Sequence, residues 1–145
     1  GEFGKAVQAM GLAVSEDPSN PYRYANLGVA YYRNQQAAEA LEAFEFAIRG
    51  GVTEDGVVVN GFQLNSPEVV PYYYTFGLLL ARANRCAEAL PISQALIASF
   101  PDDEIAVGNA DEMVLICEGL EGLSTATPQP AATEAETMGE ETPDS

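Results

Sequence analysis

Two cysteines, Cys86 and Cys117, and two carboxylate runs, Glu54-Asp55 and Asp102-Asp103-Glu104, are the residues of this chain best equipped for chemistry. Paired carboxylates can move protons or hold a hard cation. Calcium, however, takes six to eight oxygen ligands, more than the spacing of either run offers. Both runs also sit where acids serve the backbone. Glu54-Asp55 falls at a turn, and the second run opens a helix, where negative charge suits the dipole. The chain has no histidine, the commonest general base and metal ligand. It carries no phosphate-binding loop, dinucleotide fingerprint or nucleophile elbow. These residues point to a non-catalytic protein with no cofactor and no metal. The thiols have two readings, a disulfide or two small buried apolar groups.

Charge narrows the partners. The 145 residues carry a net charge of −16, and only Lys5, Arg23, Arg33, Arg49, Arg82 and Arg85 are positive. Nucleic-acid affinity depends on a basic footprint, so neither nucleic acid nor an anionic membrane surface is an expected partner. No run of eighteen apolar residues exists to span a bilayer. A content of 47% hydrophobic residues suits one domain with a tail.

The elements that position these residues follow a repeating register. Tyr24, Leu27, Gly28, Tyr31, Ala40, Phe44 and Ala47 form an aromatic, L-G, Y, A, F, A series. Gly28 and Ala40 are small where two helices would cross closely. Leu27, Tyr31 and Phe44 are large enough to fill the space between them. The series resembles the tetratricopeptide repeat (TPR), a helix–turn–helix unit of 34 residues. Upstream, Ala6, Met10, Ala13 and Pro18 fall in the same register. Downstream, Tyr73, Phe76, Gly77, Leu80, Ala89 and Pro101 do so, with Ser93 at the usual Phe position and Leu96 at the usual Ala. The resemblance implies an all-α, right-handed solenoid of about two and a half repeats. Its expected units are helix B of a partial repeat at 4–16, a repeat at 20–50 and a repeat at 69–101. A chain that begins in mid-repeat is expected to have its first helix A upstream, in a longer parent chain that is itself a partner.

Two segments depart from the period. Residues 51–68 are an insertion, in which Val57-Val58-Val59 and Phe62-Gln63-Leu64 flank Asn60-Gly61. Asn-Gly between such runs predicts a β-hairpin turning at Asn60-Gly61. After Pro101, the apolar positions Ile105, Ala106, Ala110, Met113, Val114 and Ile116 predict a capping helix over 102–120. The folded domain is thus expected at 1–121. Residues 122–145 are rich in Ser, Thr, Pro, Ala and Glu without Lys or Arg, which predicts a disordered acidic tail.

The remaining expectations come from the resemblance. It places Cys86, in the turn before a helix B, beside Cys117, late in the capping helix, close enough for a disulfide. Such a bridge would contribute about 3 kcal/mol through loop entropy and would suit an extracytoplasmic setting. Two reduced, buried thiols in the cytoplasm are the alternative. TPR grooves are lined by helix A, which selects Tyr22, Asn26, Val29, Tyr32 and Arg33 in one repeat, and Tyr74, Leu78 and Arg82 in the next. Tyr73 is expected in the core, with Tyr72 and Tyr74 pointing elsewhere. Ala25 and Val29 replace the lysines of the family's chaperone-tail clamp. The implied function is a protein-interaction module that binds a peptide or protein partner. The repeats, the insertion and the cysteine pair are loosely similar to TPR segments of bacterial envelope proteins that handle glycans. A cytosolic adaptor and a structural subunit or cap are the alternatives.

Overall fold

The computed structural model describes residues 1–126. Its helices are α1 (Glu2–Glu16), α2 (Pro21–Arg33), α3 (Ala37–Arg49), α4 (Val70–Arg82), α5 (Cys86–Ser99) and α6 (Glu104–Ala126). Two short strands, β1 (Gly51–Val52) and β2 (Val58–Val59), and a 3-10 turn at Pro67–Val69 lie between α3 and α4. The protein is all-α with one β-hairpin insertion.

Local sequence explains the helix limits. Asn20 caps α2 by accepting from the Tyr22 N–H, and Pro21 fills the first turn, where a missing N–H costs nothing. Asp103 caps α6 by accepting from the N–H groups of Ile105 and Ala106. The turns α2–α3 and α4–α5 repeat one geometry. Gln35 and Asn84 take φ of 62° and 63°, and the next residue in each turn donates its N–H to Tyr31 or Leu80.

The helices pack as successive neighbours: α1 on α2, α2 on α3, α3 on α4, α4 on α5, and α6 on both α4 and α5. Phe44, Phe76, Leu80, Ala89, Leu96, Ala106, Ala110 and Met113 form the main core. Tyr24, Ala25, Ala47 and Val59 form a second cluster, under the hairpin. Gly28 lies beneath the ring of Phe44, where a Cβ would sit only 3.0 Å from ring carbons. Ser93 is buried and donates its hydroxyl to the Ala110 carbonyl at 3.0 Å. A smaller residue at this Phe position lets α6 lie close to α5.

Three boundaries differ from expectation. First, β1 pairs antiparallel with β2, Gly51 opposite Val59 and Val52 opposite Val58. The hairpin therefore turns at Asp55-Gly56, where Gly56 has φ of 84°, and not at Asn60-Gly61. Neither Asn60 nor Gly61 takes the positive φ that an Asn-Gly turn requires. Gly61 serves a close approach instead, because a side chain there would strike the Ile48 carbonyl. The adjacent Phe62 N–H then bonds the Ala47 carbonyl at 3.0 Å. Second, α1 starts at Glu2. Third, α6 runs to Ala126, past the expected end at 120. Helix propagation adds one hydrogen bond per residue fixed, so an established helix continues through residues that would not nucleate one. The rest of the expected tail, 127–145, lies outside the described residues.

Candidate functional site

Helices α2 and α4 carry the residues predicted to line a groove, and the structure divides them. Tyr22 faces the insertion, with its ring 5.0 Å from that of Phe62. Phe62 is also 5.6 Å from Tyr72 and 6.3 Å from Tyr73. The Tyr72 hydroxyl crosses to α2 and donates to Asn26 Oδ1 at 2.9 Å. Tyr73 donates its hydroxyl to the Phe62 carbonyl at 2.9 Å. Burial raises the pKa of both phenols, and Tyr22 and Glu68 add to the effect at Tyr72, so both remain protonated donors at neutral pH. Tyr22 and Asn26 are thus engaged by the chain itself. Leu78 is 8% exposed within the main core and borders neither the hollow at Tyr32 and Arg82 nor the hollow at Asn26 and Arg33. Leu79, 6% exposed in the same core, is the leucine that borders the recess beside Arg82. Tyr74 is half-buried against the main core.

The other predicted residues border two separate recesses. Tyr32 and Arg82 meet Ala37, Leu41, Leu79 and Ala83 around an apolar hollow of about 390 Å³. Asn26, Val29 and Arg33 face α1 across a second hollow of about 360 Å³, with Phe3, Ala6 and Met10 on its far wall. The sequence register found the arginines and Tyr32. It missed Leu41 and Leu79, because the hollow forms only where the α2–α3 turn meets the end of α4. It also missed Phe62, whose signal was an aromatic at the close of the insertion facing a run of three tyrosines.

The acids divide as well. Glu42, Glu45 and Glu54 border a hollow beside the hairpin, but Glu45 is already bound by Arg85 and Arg49. Arg49 and Arg85 both bond Glu88, at 2.6 and 2.7 Å, and the Arg49 guanidinium lies 5.1 Å from the centre of the Phe76 ring. Among the described residues no group of three His, Cys, Asp or Glu side chains is placed to hold a metal.

Cys86 and Cys117 stand at disulfide distance, with Cα atoms 5.8 Å apart. The bridge joins the start of α5 to the later part of α6. No helix of the described residues is long and apolar enough to cross a membrane. In comparisons with known proteins, no family model and no curated protein matches the chain.

Proposed function

We propose that this chain is a non-catalytic, TPR-type interaction module whose partner is a peptide or protein segment bound at the Tyr32–Arg82 hollow. One observation carries the reading. Of five arginines, Arg23, Arg49 and Arg85 are paired with acids. Arg82, on the rim of an apolar hollow, has no acidic partner among the described residues of a chain with 22 acids. An unpaired guanidinium beside Tyr32, Leu41 and Leu79 suits a ligand that places a carboxylate next to an apolar side chain. The high negative charge disfavours polyacidic ligands, and Arg82 is a local exception at this hollow. The disulfide supports an oxidising, extracytoplasmic setting. The envelope of a bacterium, as part of a larger protein, is the setting that the sequence resemblance favours.

Selection of random peptides on the immobilised, oxidised protein tests the reading. Recovered ligands are expected to share a carboxylate adjacent to an apolar residue. Arg82→Ala and Tyr32→Ala are each expected to weaken them about tenfold or more. Ligands that bind both variants as tightly as the parent would remove this hollow as the site.

A further inference from the structure

The hairpin has an open strand edge. Among the described residues, β1 pairs with β2 and with no other strand. The Thr53 N–H donates to the Val57 carbonyl at 2.9 Å, so Thr53 and Val57 are a hydrogen-bonded pair. Such pairs alternate along an antiparallel ladder, which makes Val52 and Val58 a non-hydrogen-bonded pair. The N–H and C=O of Val52 therefore point away from β2, toward the open edge of β1. Side chains alternate across the hairpin as well. Val59 is buried, and a Cβ on Gly51 opposite it would lie 3.1 Å from the Phe46 ring. That face rests on α3. Val52 and Val58 stand on the other face, 62% and 58% exposed. A hollow of about 510 Å³ runs between α3 and β1, lined by Glu42, Glu45, Phe46, Gly51, Val52 and Glu54 and by neither residue of β2. Every charged residue in it is an acid. Glu45 is held by Arg49 and Arg85. Glu42 and Glu54 are exposed and have no ion pair among the described residues.

We propose that the β1 edge binds an extended peptide segment by strand addition, and that this segment carries a basic residue on each side of an apolar one. An unpaired strand edge is a template for a further strand. Main-chain hydrogen bonds, here to Val52, hold the segment, and alternate side chains select it. The residue paired with Val52 shares its face, so an apolar side chain there extends the Val52–Val58 patch. Its two neighbours point to the opposite face, into the hollow, where the carboxylates of Glu42 and Glu54 suit lysine or arginine beside the Phe46 ring. The period of two therefore fixes the order basic, apolar, basic, and a slip of one residue would set the cations over the valines. The 145 residues hold no cation for this hollow. Arg23, Arg49 and Arg85 are paired with acids. Arg82 borders the other hollow, Lys5 and Arg33 belong to α1 and α2, and no Lys or Arg follows Arg85. The segment thus comes from outside these residues. The surface shares no lining residue with the Tyr32–Arg82 hollow, and its occupancy does not depend on a ligand there.

Two dye-labelled peptides of one composition, Ser-Thr-Lys-Val-Lys-Thr-Ser and Ser-Lys-Thr-Val-Thr-Lys-Ser, test the proposal by anisotropy with the oxidised full chain. In an extended strand the first sets its lysines on the face opposite valine, and the second sets them on the same face. The first is expected to bind saturably and about fivefold or more tighter than the second. Glu42→Gln with Glu54→Gln is expected to weaken it about tenfold or more. Glu112→Gln with Glu118→Gln, which removes the same charge from the exposed face of α6, is expected to weaken it less than about twofold. Saturating peptide is expected to slow hydrogen exchange at the Val52 amide. Circular dichroism of each variant, matching the parent, verifies that the fold is kept. No saturable binding, equal affinity for the two peptides, equal weakening by the two double variants, or an unchanged Val52 amide would overturn the proposal. So would a concentration-dependent dimer that Glu42→Gln with Glu54→Gln abolishes, since a second copy would then own the edge.

Discussion

Four charged side chains tie α3 to α5. Glu88 accepts from Arg85 Nε and Nη2, each at 2.7 Å, and from Arg49 Nη1 at 2.6 Å, while Glu45 accepts from both arginines. These bonds, first from Arg85 and then from Arg49, push the Glu88 pKa down to about 2 from its ordinary 4.5. A carboxylate whose pKa is lower in the folded state stabilises the fold fully above its unfolded pKa. That contribution is lost as pH falls from about 4.5 toward 2. Urea unfolding across this window is expected to show the loss in the parent, and Glu88→Gln is expected to flatten it. An unchanged acid limb in the variant would assign the loss to other carboxylates. Two of the pairs are local, Glu45 with Arg49 at i,i+4 and Arg85 with Glu88 at i,i+3, and only the approach of the start of α5 to α3 joins the two into one cluster. Gly28 is the opposite case. Its smallness, and the bulk of Phe44 sixteen residues on, were readable from spacing because both lie in one local helix pair.

At the scale of elements, the insertion does more than interrupt the repeat. It returns across the end of α3 through Gly61 and delivers Phe62 between Tyr22 at the start of α2 and Tyr72 at the start of α4. A two-stranded hairpin is marginal alone in water, so this aromatic anchor is what holds it. Phe62→Ala is expected to destabilise the protein by about 2 kcal/mol, less than a fully buried Phe because the residue is only partly buried. Hydrogen exchange checks the mechanism: protection should fall across residues 51–66 and persist in α5 and α6. A uniform loss of protection would mean that the insertion and the helices unfold as one unit. The existence of the hairpin was legible in its β-branched residues and its glycines. Its turn was not, because Asp-Gly and Asn-Gly offer competing turns. Pairing β1 across Asp55-Gly56 frees Gly61 for contact with Ile48 and buries Val59 at 2% exposure.

Over the whole molecule, the two ends are finished differently. At one end the disulfide closes a separation of 31 residues and fixes α6 against α5. At the other, α1 rests on α2 with no buried residue of its own. Reduction of Cys86–Cys117 is expected to lower stability by about 3 kcal/mol, seen as a lower urea midpoint with dithiothreitol. Cys86→Ser with Cys117→Ser should match it, and a midpoint indifferent to reductant would mean that packing alone holds α6. The sequence by itself determined the helical class, the order of small and large residues inside each helix pair, and the presence of an inserted hairpin. These depend on neighbours within one turn or one helix pair, where periodicity and residue size act directly. Only the tertiary structure decided which hairpin turn is used, how far α6 extends, and that the expected single groove is two hollows with Tyr22 and Asn26 already engaged. Each of these is set by groups distant in the chain: Phe62 against Tyr22, Tyr72 against Asn26, and the end of α4 against the turn after α2. Their meeting depends on how the helix pairs are spaced and rotated, which the one-dimensional pattern does not encode.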